Sequence, residues 1–396
     1  MRIGILTYHD EVNYGSLLQA YAMQTSLKDL GYEPIIIDRC FQPHQERIYG
    51  ILHSRSIWRW FIWFIRAVSG TGAWALFVRQ WRSRHFIRKY LKLTSYSFHE
   101  CKDAPSDLGV DLLTVGSDQV WHPKAQPQVY LLNELKQVPG IAYAASFGAN
   151  EIPDEQKNLY REGFKNFKAI GIRELEGVEM ARQLGVKEAA HVVDPTILMN
   201  PRHWMDIVGD IHQKGKKRIA CYFLSENYIE LIEKLGRWAK QNNVIVDLFV
   251  QDFGIPLYRL RSSYGKWLKF WKCRFCYPIH FLYSAGPVEF VKKIAAADCV
   301  FTNSFHALMF SIIFRRNVRI VKPSAPIRQS MAARMQEFSR TIVNGPLIMD
   351  SLEDAFVSYE RGEKLSFNEQ ELNHRRIESE KWLKNAIKIA TESMNG

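Results

Sequence analysis

The first 38 residues carry the pattern that most restricts what the chain can become. "RIGILT" (Arg2–Thr7) is an apolar run of strand length, and the loop "HDEVNYGS" follows it. From Leu17 to Leu30 apolar residues recur at helical spacing, until Gly31 stops the helix. "EPIIID" (Glu33–Asp38) then reads as a second buried strand. Strand, helix and strand in that order form a βαβ unit, whose crossover sets the two strands parallel. Parallel sheets are covered on both faces, and ligands reach them at the carboxyl ends of the strands.

The pattern recurs. "GVDLLTVGS" and "GIAYAASFG" read as strands ending in small residues. A helix near 154–167, the strand "KAIGI" and a helix over 174–184 come next. "AAHVVDPTILMNP" is a strand followed by a Pro-punctuated connection, which suits a domain boundary. Then "KRIACYFL", a helix near 228–241 and "NVIVDLFVQ" start the alternation over. "GPVEFVKKIAAAD" is a helix entered through Pro287, "CVFTNS" a strand, 305–314 a helix and "VRIV" a strand. At 396 residues the chain exceeds what one core usually holds. The expected architecture is α/β: two Rossmann-like domains, residues 1–198 and 199–367, facing each other across a cleft. A charged helix over 368–396 is expected to pack back across them, and a Trp- and Arg-rich insertion occupies about 45–100.

Lys and Arg number 53 against 41 Asp and Glu, a net charge of +12. That balance favours anionic partners: phosphorylated metabolites, anionic lipid or nucleic acid. The six cysteines include one CxxC pair, Cys273 and Cys276, with no second pair or CxxH at zinc-site spacing. They read as reduced thiols of a cytoplasmic protein, and the N-terminus is too charged for a signal peptide. Ile57–Val78 is the one stretch to test as a membrane span. Arg59 and Arg66 interrupt it, at about 2.5–3.5 kcal/mol each near a bilayer centre, and "SGTG" breaks it. It reads equally as an amphipathic surface helix or as an interfacial one. In the second case Trp58, Trp60, Trp63 and Trp74 lie at head-group depth, with Arg79, Arg82, Arg84, Arg88 and Lys89 beyond. "YGKWLKFWKCRFC" also mixes cations and aromatics, but no nucleic-acid-binding signature accompanies it, so no nucleic-acid partner is expected.

Candidate chemistry lies where the strands end. His306 follows a strand and sits in the first turn of the next helix, whose N–H groups and dipole suit phosphate or carboxylate. Asn303 and Ser304 add polar side chains, and an imidazole there can serve as acid or anion clamp. The alternative is a capping turn with a core histidine. In "HDEVNYGS", His9, Asp10, Asn13, Tyr14 and Gly15 lie where a ligand approaches a βαβ turn, unless this is a plain loop with Ser16 as helix cap. The turn lacks the glycine fingerprints of dinucleotide sites and P-loops. In "VGSDQVWHP", Asp118 can orient or deprotonate a hydroxyl and Trp121 can stack on a sugar ring; otherwise Asp118 caps a turn and Trp121 fills core. Arg173, in "GIREL", has the bidentate shape for phosphate or carboxylate, or else pairs with Glu174 or Glu176. Arg328, Arg334 and Arg340 add cations further on, and no cluster resembles a Mg²⁺ cage.

Together these motifs resemble the polysaccharide pyruvyl transferase family. "RIGILTYHDEVNYGSLLQAYAMQTSLKDLGYEPIIID", "DLLTVGSDQVWHP", "AYAASFG", "GIREL", "VVDPTIL" and "GPVEFVKKIAAADCVFTNSFHALMFSIIF" follow in the family's order over roughly residues 1–340. Residues 41–105 and 255–283 match poorly. The resemblance implies a GT-B-like enzyme moving a pyruvyl group from phosphoenolpyruvate onto hydroxyls of a growing surface glycan, commonly as a cyclic ketal. It implies a donor side in the C-terminal domain and an acceptor side in the N-terminal one. His306 would carry the proton or the phosphate contact, with Asn303, Ser304, Arg173, Arg328 and Arg340 holding the donor. Asp118 would activate the acceptor hydroxyl, with Asn13, Tyr14, Gly15 and Trp121 shaping its site. Neither a cofactor nor a metal is expected beyond phosphoenolpyruvate itself. A lipid-linked acceptor would give the Trp- and Arg-rich segment work at an anionic membrane face. The chain departs from the family at Ala307, usually Gly, at Asn303, often Asp, and at Arg316, Asn317 and Val318, where "KPF" is usual. Asn for Asp removes a carboxylate, and with it a base, from that position. A nucleotide-sugar glycosyltransferase and a non-catalytic membrane scaffold are the rival readings.

Overall fold

The computed structural model describes residues 1–9, 13–39, 73–98, 104–133, 135, 138–211, 215–224, 228–250, 273–323 and 335–392. They belong to two compact units. The first comprises Met1–Gln42, His85–His203 and Glu369–Gly396; the second comprises Pro43–Arg84 and Trp204–Asn368.

The first unit is built on seven parallel strands: β1 (Arg2–Leu6), β2 (Glu33–Arg39), β3 (Leu93–Phe98), β4 (Leu112–Val115), β5 (Gly140–Ala145), β6 (Phe167–Ile172) and β7 (Ala189–His191). Their spatial order is β3-β2-β1-β4-β5-β6-β7. The chain builds outward from β1 in one direction and then, from β4, in the other. The reversal opens a crevice between the carboxyl ends of β1 and β4, the usual ligand site of open α/β sheets. Of helices α1 (Tyr14–Asp29), α2 (Ala73–Tyr90), α3 (Asp154–Phe164) and α4 (Leu175–Gln183), α1, α3 and α4 accompany these strands, whereas α2 belongs to the second unit as far as Arg84. All four residues of β4 and all six of β5 are buried, as double coverage demands.

Two local readings change. α1 starts at Tyr14, three residues earlier than its apolar spacing suggests. Its cap is Asn13, whose Oδ1 accepts the Gly15 N–H at 3.0 Å, and not Ser16. Trp121 offers no face to a sugar. It is fully buried, its Nε1–H donates to the Tyr130 carbonyl at 3.0 Å, and Phe147, Phe164 and Phe167 surround its rings. A large ring among buried aromatic side chains packs into the core because its apolar area outweighs what one exposed stacking contact would gain.

The second unit repeats the plan with β8 (Arg218–Tyr222), β9 (Ile245–Phe249), β10 (Ile279–Leu282), β11 (Cys299–Thr302), β12 (Asn317–Val321) and, past the short β13 (Val343–Asn344), β14 (Ile348–Met349). The order is β10-β9-β8-β11-β12-β14, all parallel, with its reversal between β8 and β11. β13 pairs antiparallel with β15 (Ser366–Phe367). Helices α5 (Tyr228–Gln241), α6 (Pro287–Ala295), α7 (Phe305–Ile313) and α8 (Leu352–Glu360) belong here. One layer of the core is the stack of Trp238 on Phe356, at 4.6 Å and 6° between planes, with Phe301 against both.

The last helix, α9 (Glu369–Glu392), packs on β4, β5 and β6 of the first unit. It buries Leu372, Leu383, Ala386, Ile387 and Ala390, and its Ser379 hydroxyl accepts the Val193 N–H at 3.0 Å. Residues 57–72 of the stretch tested above as a membrane span lie outside the described residues. Among those described, no helix is long and apolar enough to cross a membrane.

Candidate functional site

In the first unit the exits of β1 and β4 are stitched together by side chains from α1. Thr7 Oγ1 donates to the Ser117 carbonyl at 3.0 Å and accepts from Gln19 Nε2 at 2.8 Å. Gln19 Nε2 also lies within hydrogen-bonding distance of the Tyr8 and Ser16 carbonyls, and its Oε1 accepts the Ser117 N–H at 3.2 Å. Gly116 closes β4 at φ +112°, where an added Cβ would strike the Tyr143 carbonyl and the Ala145 nitrogen. The next turn delivers Asp118 to the crevice in the left-handed region, φ 72°. Its Oδ2 accepts from Ser16 Oγ at 2.7 Å and its Oδ1 from the Gln119 N–H at 2.8 Å. Ser16 is the third residue of α1, so the carboxylate also meets the positive end of that helix. A half-buried carboxylate that already holds one hydroxyl proton at this distance has the geometry of a group that positions or deprotonates hydroxyls. Of the other residues expected here, Tyr14 and Gly15 are buried in the first turn of α1, and Asn13 is its half-buried cap. His9, also buried, bridges the Thr7 carbonyl and Asp38 Oδ1, both at 3.0 Å. Asp10 lies outside the described residues.

A second polar layer lies beneath Asp118. Ser117 Oγ donates to Asp194 Oδ2 at 2.9 Å, and Arg173 Nη1 donates to the same oxygen at 3.2 Å. Arg173 Nε and the Ser146 hydroxyl both donate to Glu174 Oε1, at 3.0 and 2.6 Å. Arg173 is thus not presented to a donor's anionic groups. It is 5% exposed, with Glu174 and Asp194 in direct contact and Asp118 close enough to interact. Burial pulls its pKa down, but these three carboxylates outweigh it and hold the guanidinium above its usual range. Three carboxyl groups around one cation do not invite a further anion. The arginine's work here is to keep the floor of the Asp118 site rigid.

In the second unit the corresponding exits are those of β8 and β11. Thr302 Oγ1 donates to the Tyr222 carbonyl at 2.6 Å and accepts the Ser304 N–H at 3.0 Å. Asn303 clamps Leu224 from both ends of its amide: Oδ1 accepts the Leu224 N–H at 2.6 Å and Nδ2 donates to its carbonyl at 3.2 Å. That explains how this chain uses an amide here, since a carboxylate would lack the second bond. Ser304 is the N-cap of α7, 4% exposed, and makes no side-chain capping bond. His306 is the second residue of α7, half-buried, with its ring edge-on to Phe305 at 5.5 Å. Ala307, beside it, is fully buried. The Phe305–Phe338 contact at 6.3 Å brings the turn before Arg340 to the same helix start, and Arg340 itself is exposed. Arg328 and Arg334 lie outside the described residues.

A model of the polysaccharide pyruvyl transferase family matches residues 13–324. The chain belongs to that family. The span matched to the pyruvyl transferase family takes in Asn13, Asp118 and His306, whereas Arg328 and Arg340 fall beyond it. No curated protein sequence is significantly similar to the chain. Among solved structures it resembles UDP-N-acetylglucosamine 2-epimerase from Rickettsia bellii, with a TM-score of 0.54 at 10% identity over 100% of this chain and 97% of that one. It also resembles the S. aureus MnaA–UDP co-structure, with a TM-score of 0.52 at 10% identity over 95% and 90%. At such identity the likeness is one of fold: GT-B-like, with parallel sheets of seven and six strands.

Ser16, Gln19, Ser117 and Asp194 were not legible as site residues. Ser16 and Asp118 are 102 positions apart, and only the crossing of the chain at β1 and β4 brings them together.

Proposed function

We propose that the chain transfers the pyruvyl group of phosphoenolpyruvate to two hydroxyls of a surface-glycan precursor, forming a cyclic ketal. The observation that carries the reading is His306 in the first turn of α7, directly after the strand reversal of the second unit. A helix start with an imidazole beside it suits a substrate that bears both phosphate and carboxylate. In this reading protonated His306 gives a proton to the methylene carbon, which becomes the methyl group and leaves C2 electrophilic. The first acceptor hydroxyl adds to C2 and loses its proton to Asp118. Phosphate then leaves C2, the second hydroxyl adds in its place and gives its proton to the departing phosphate, and the ketal closes. Carbon changes no net oxidation state, so no redox cofactor enters. Ser16 keeps Asp118 aimed, and Ser304 and Arg340 are the remaining groups proposed for the donor. The setting proposed is the cytoplasm, where phosphoenolpyruvate and nascent glycans are both available.

The experiment is to incubate the chain with phosphoenolpyruvate and a panel of oligosaccharide acceptors. It reads phosphate release together with the new ketal methyl signal by proton NMR. Stoichiometric appearance of both is expected, with Asp118→Asn slower by about 10²–10⁴ as befits loss of a general base. Turnover of a UDP- or GDP-sugar with no phosphate released from phosphoenolpyruvate would instead make the protein a glycosyltransferase.

A further inference from the structure

Residues 47–99 contain no Asp or Glu in 53 positions, while holding ten Arg and Lys and five of the eleven Trp. Ten of the twelve net positive charges of the chain therefore lie in this one segment. The described part of it is α2, with β3 following. On α2 the residues divide by helical angle. Arg79, Ser83 and Phe86 point inward, at 1%, 4% and 1% exposure. Arg79 donates to the Val250 carbonyl at 2.9 Å, and Arg82 is used on Glu289 and the Ser284 carbonyl. Arg79 thus serves the interior and Arg82 is held in a half-exposed ion pair, contrary to the expectation that they flank a membrane-lying helix. Trp81, His85, Arg88 and Lys89 are exposed and share the opposite face, with exposed Lys92 just past the helix end. Trp81 is 59% exposed.

We propose that this face docks the protein on an anionic lipid surface. An exposed indole amid cations, with no carboxylate anywhere in the segment, matches the polar–apolar boundary of a bilayer carrying negative head groups. The sequence of the segment favours lipid over nucleic acid. Eight of the ten residues in "IWRWFIWFIR" are large and apolar, and acyl chains reward that load whereas a phosphodiester backbone does not. The inference stands apart from the transfer chemistry, because lipid docking needs neither donor nor acceptor.

The test is cosedimentation of the full chain with vesicles of phosphatidylcholine alone and of phosphatidylcholine mixed with phosphatidylglycerol. Single-stranded RNA serves as the competing polyanion. The expected result is binding to the anionic vesicles only, weakened by salt, and about a hundredfold weaker for Arg88→Glu/Lys89→Glu/Lys92→Glu. Circular dichroism checks that the variant is folded. Should it not be, the salt titration of the unaltered chain decides: binding that salt leaves unchanged overturns the proposal. So do equal binding to neutral and anionic vesicles, wild-type affinity in a folded triple variant, or preference for RNA over anionic vesicles.

Discussion

Asp118 sits at φ 72°, a conformation that costs an ordinary residue of order 1–3 kcal/mol and that Asn and Asp tolerate best. Asp118→Asn should therefore leave the thermal midpoint nearly unchanged while removing most turnover, and Asp118→Leu should lose both. A melting curve beside a turnover assay separates the two. Ser16→Ala takes away the hydroxyl that holds Oδ2, without touching the backbone of α1. Turnover should fall about tenfold with donor binding intact, and a fall in donor binding instead would place Ser16 elsewhere in the mechanism. At Asn303 a carboxylate keeps the bond from the Leu224 N–H but faces the Leu224 carbonyl, now 3.2 Å from the amide nitrogen. Asn303→Asp should cost about 1–3 kcal/mol of stability, as the loss of a satisfied buried donor usually does. Denaturant titration measures it. At this scale the sequence singled out Asp118 and His306 because each directly follows a legible strand. Of the alternatives left open, Arg173 paired with Glu174 and Trp121 in the core are the ones found, whereas Asp194 and the three phenylalanines around the indole are partners set by tertiary crossing.

Among the elements, the helices whose apolar spacing is regular appear where that spacing puts them: α5 over Tyr228–Gln241, α6 from Pro287, α7 from Phe305. β3 and β10 went unread for a physical reason. Each is the outermost strand of its sheet, half-exposed, and carries no continuous apolar run. The charged C-terminal stretch was legible as a helix, but its seat was not. α9 lies on the sheet of the first unit, where Gly171 leaves room for Trp382: a Cβ there would come within 2.8 Å of the indole. Leu383→Ala, at a fully buried position, should destabilise the first unit by about 2–5 kcal/mol. Gly171→Ala should push α9 outward and lower the same transition. Calorimetry reads both, and a transition unmoved by Leu383→Ala would show that α9 contributes little to that unit.

For the whole molecule, acid stability connects the sheet to the site. His191 ends β7, and its Nε2 lies 3.1 Å from the Arg173 carbonyl. Burial lowers its pKa below the usual 6.5, and the bond to that carbonyl only partly opposes the shift. The unfolded chain therefore takes up this proton first. The stability due to neutral His191 is complete above about pH 6.5 and falls as the pH drops below it. His191→Gln should flatten the loss of stability over that window, as chemical denaturation at successive pH values would show. In the proposed reaction phosphoenolpyruvate binds at the start of α7. The most direct test of that binding is thermal unfolding of the wild type and His306→Gln, each with phosphoenolpyruvate, inorganic phosphate and nucleotide sugars. At about a hundred times its Kd a specific ligand adds roughly 2.7 kcal/mol, several degrees for a unit of this size. That shift is expected for phosphoenolpyruvate with the wild type, and its loss with the variant. Equal stabilisation of both proteins, or stabilisation by a nucleotide sugar alone, would contradict binding there.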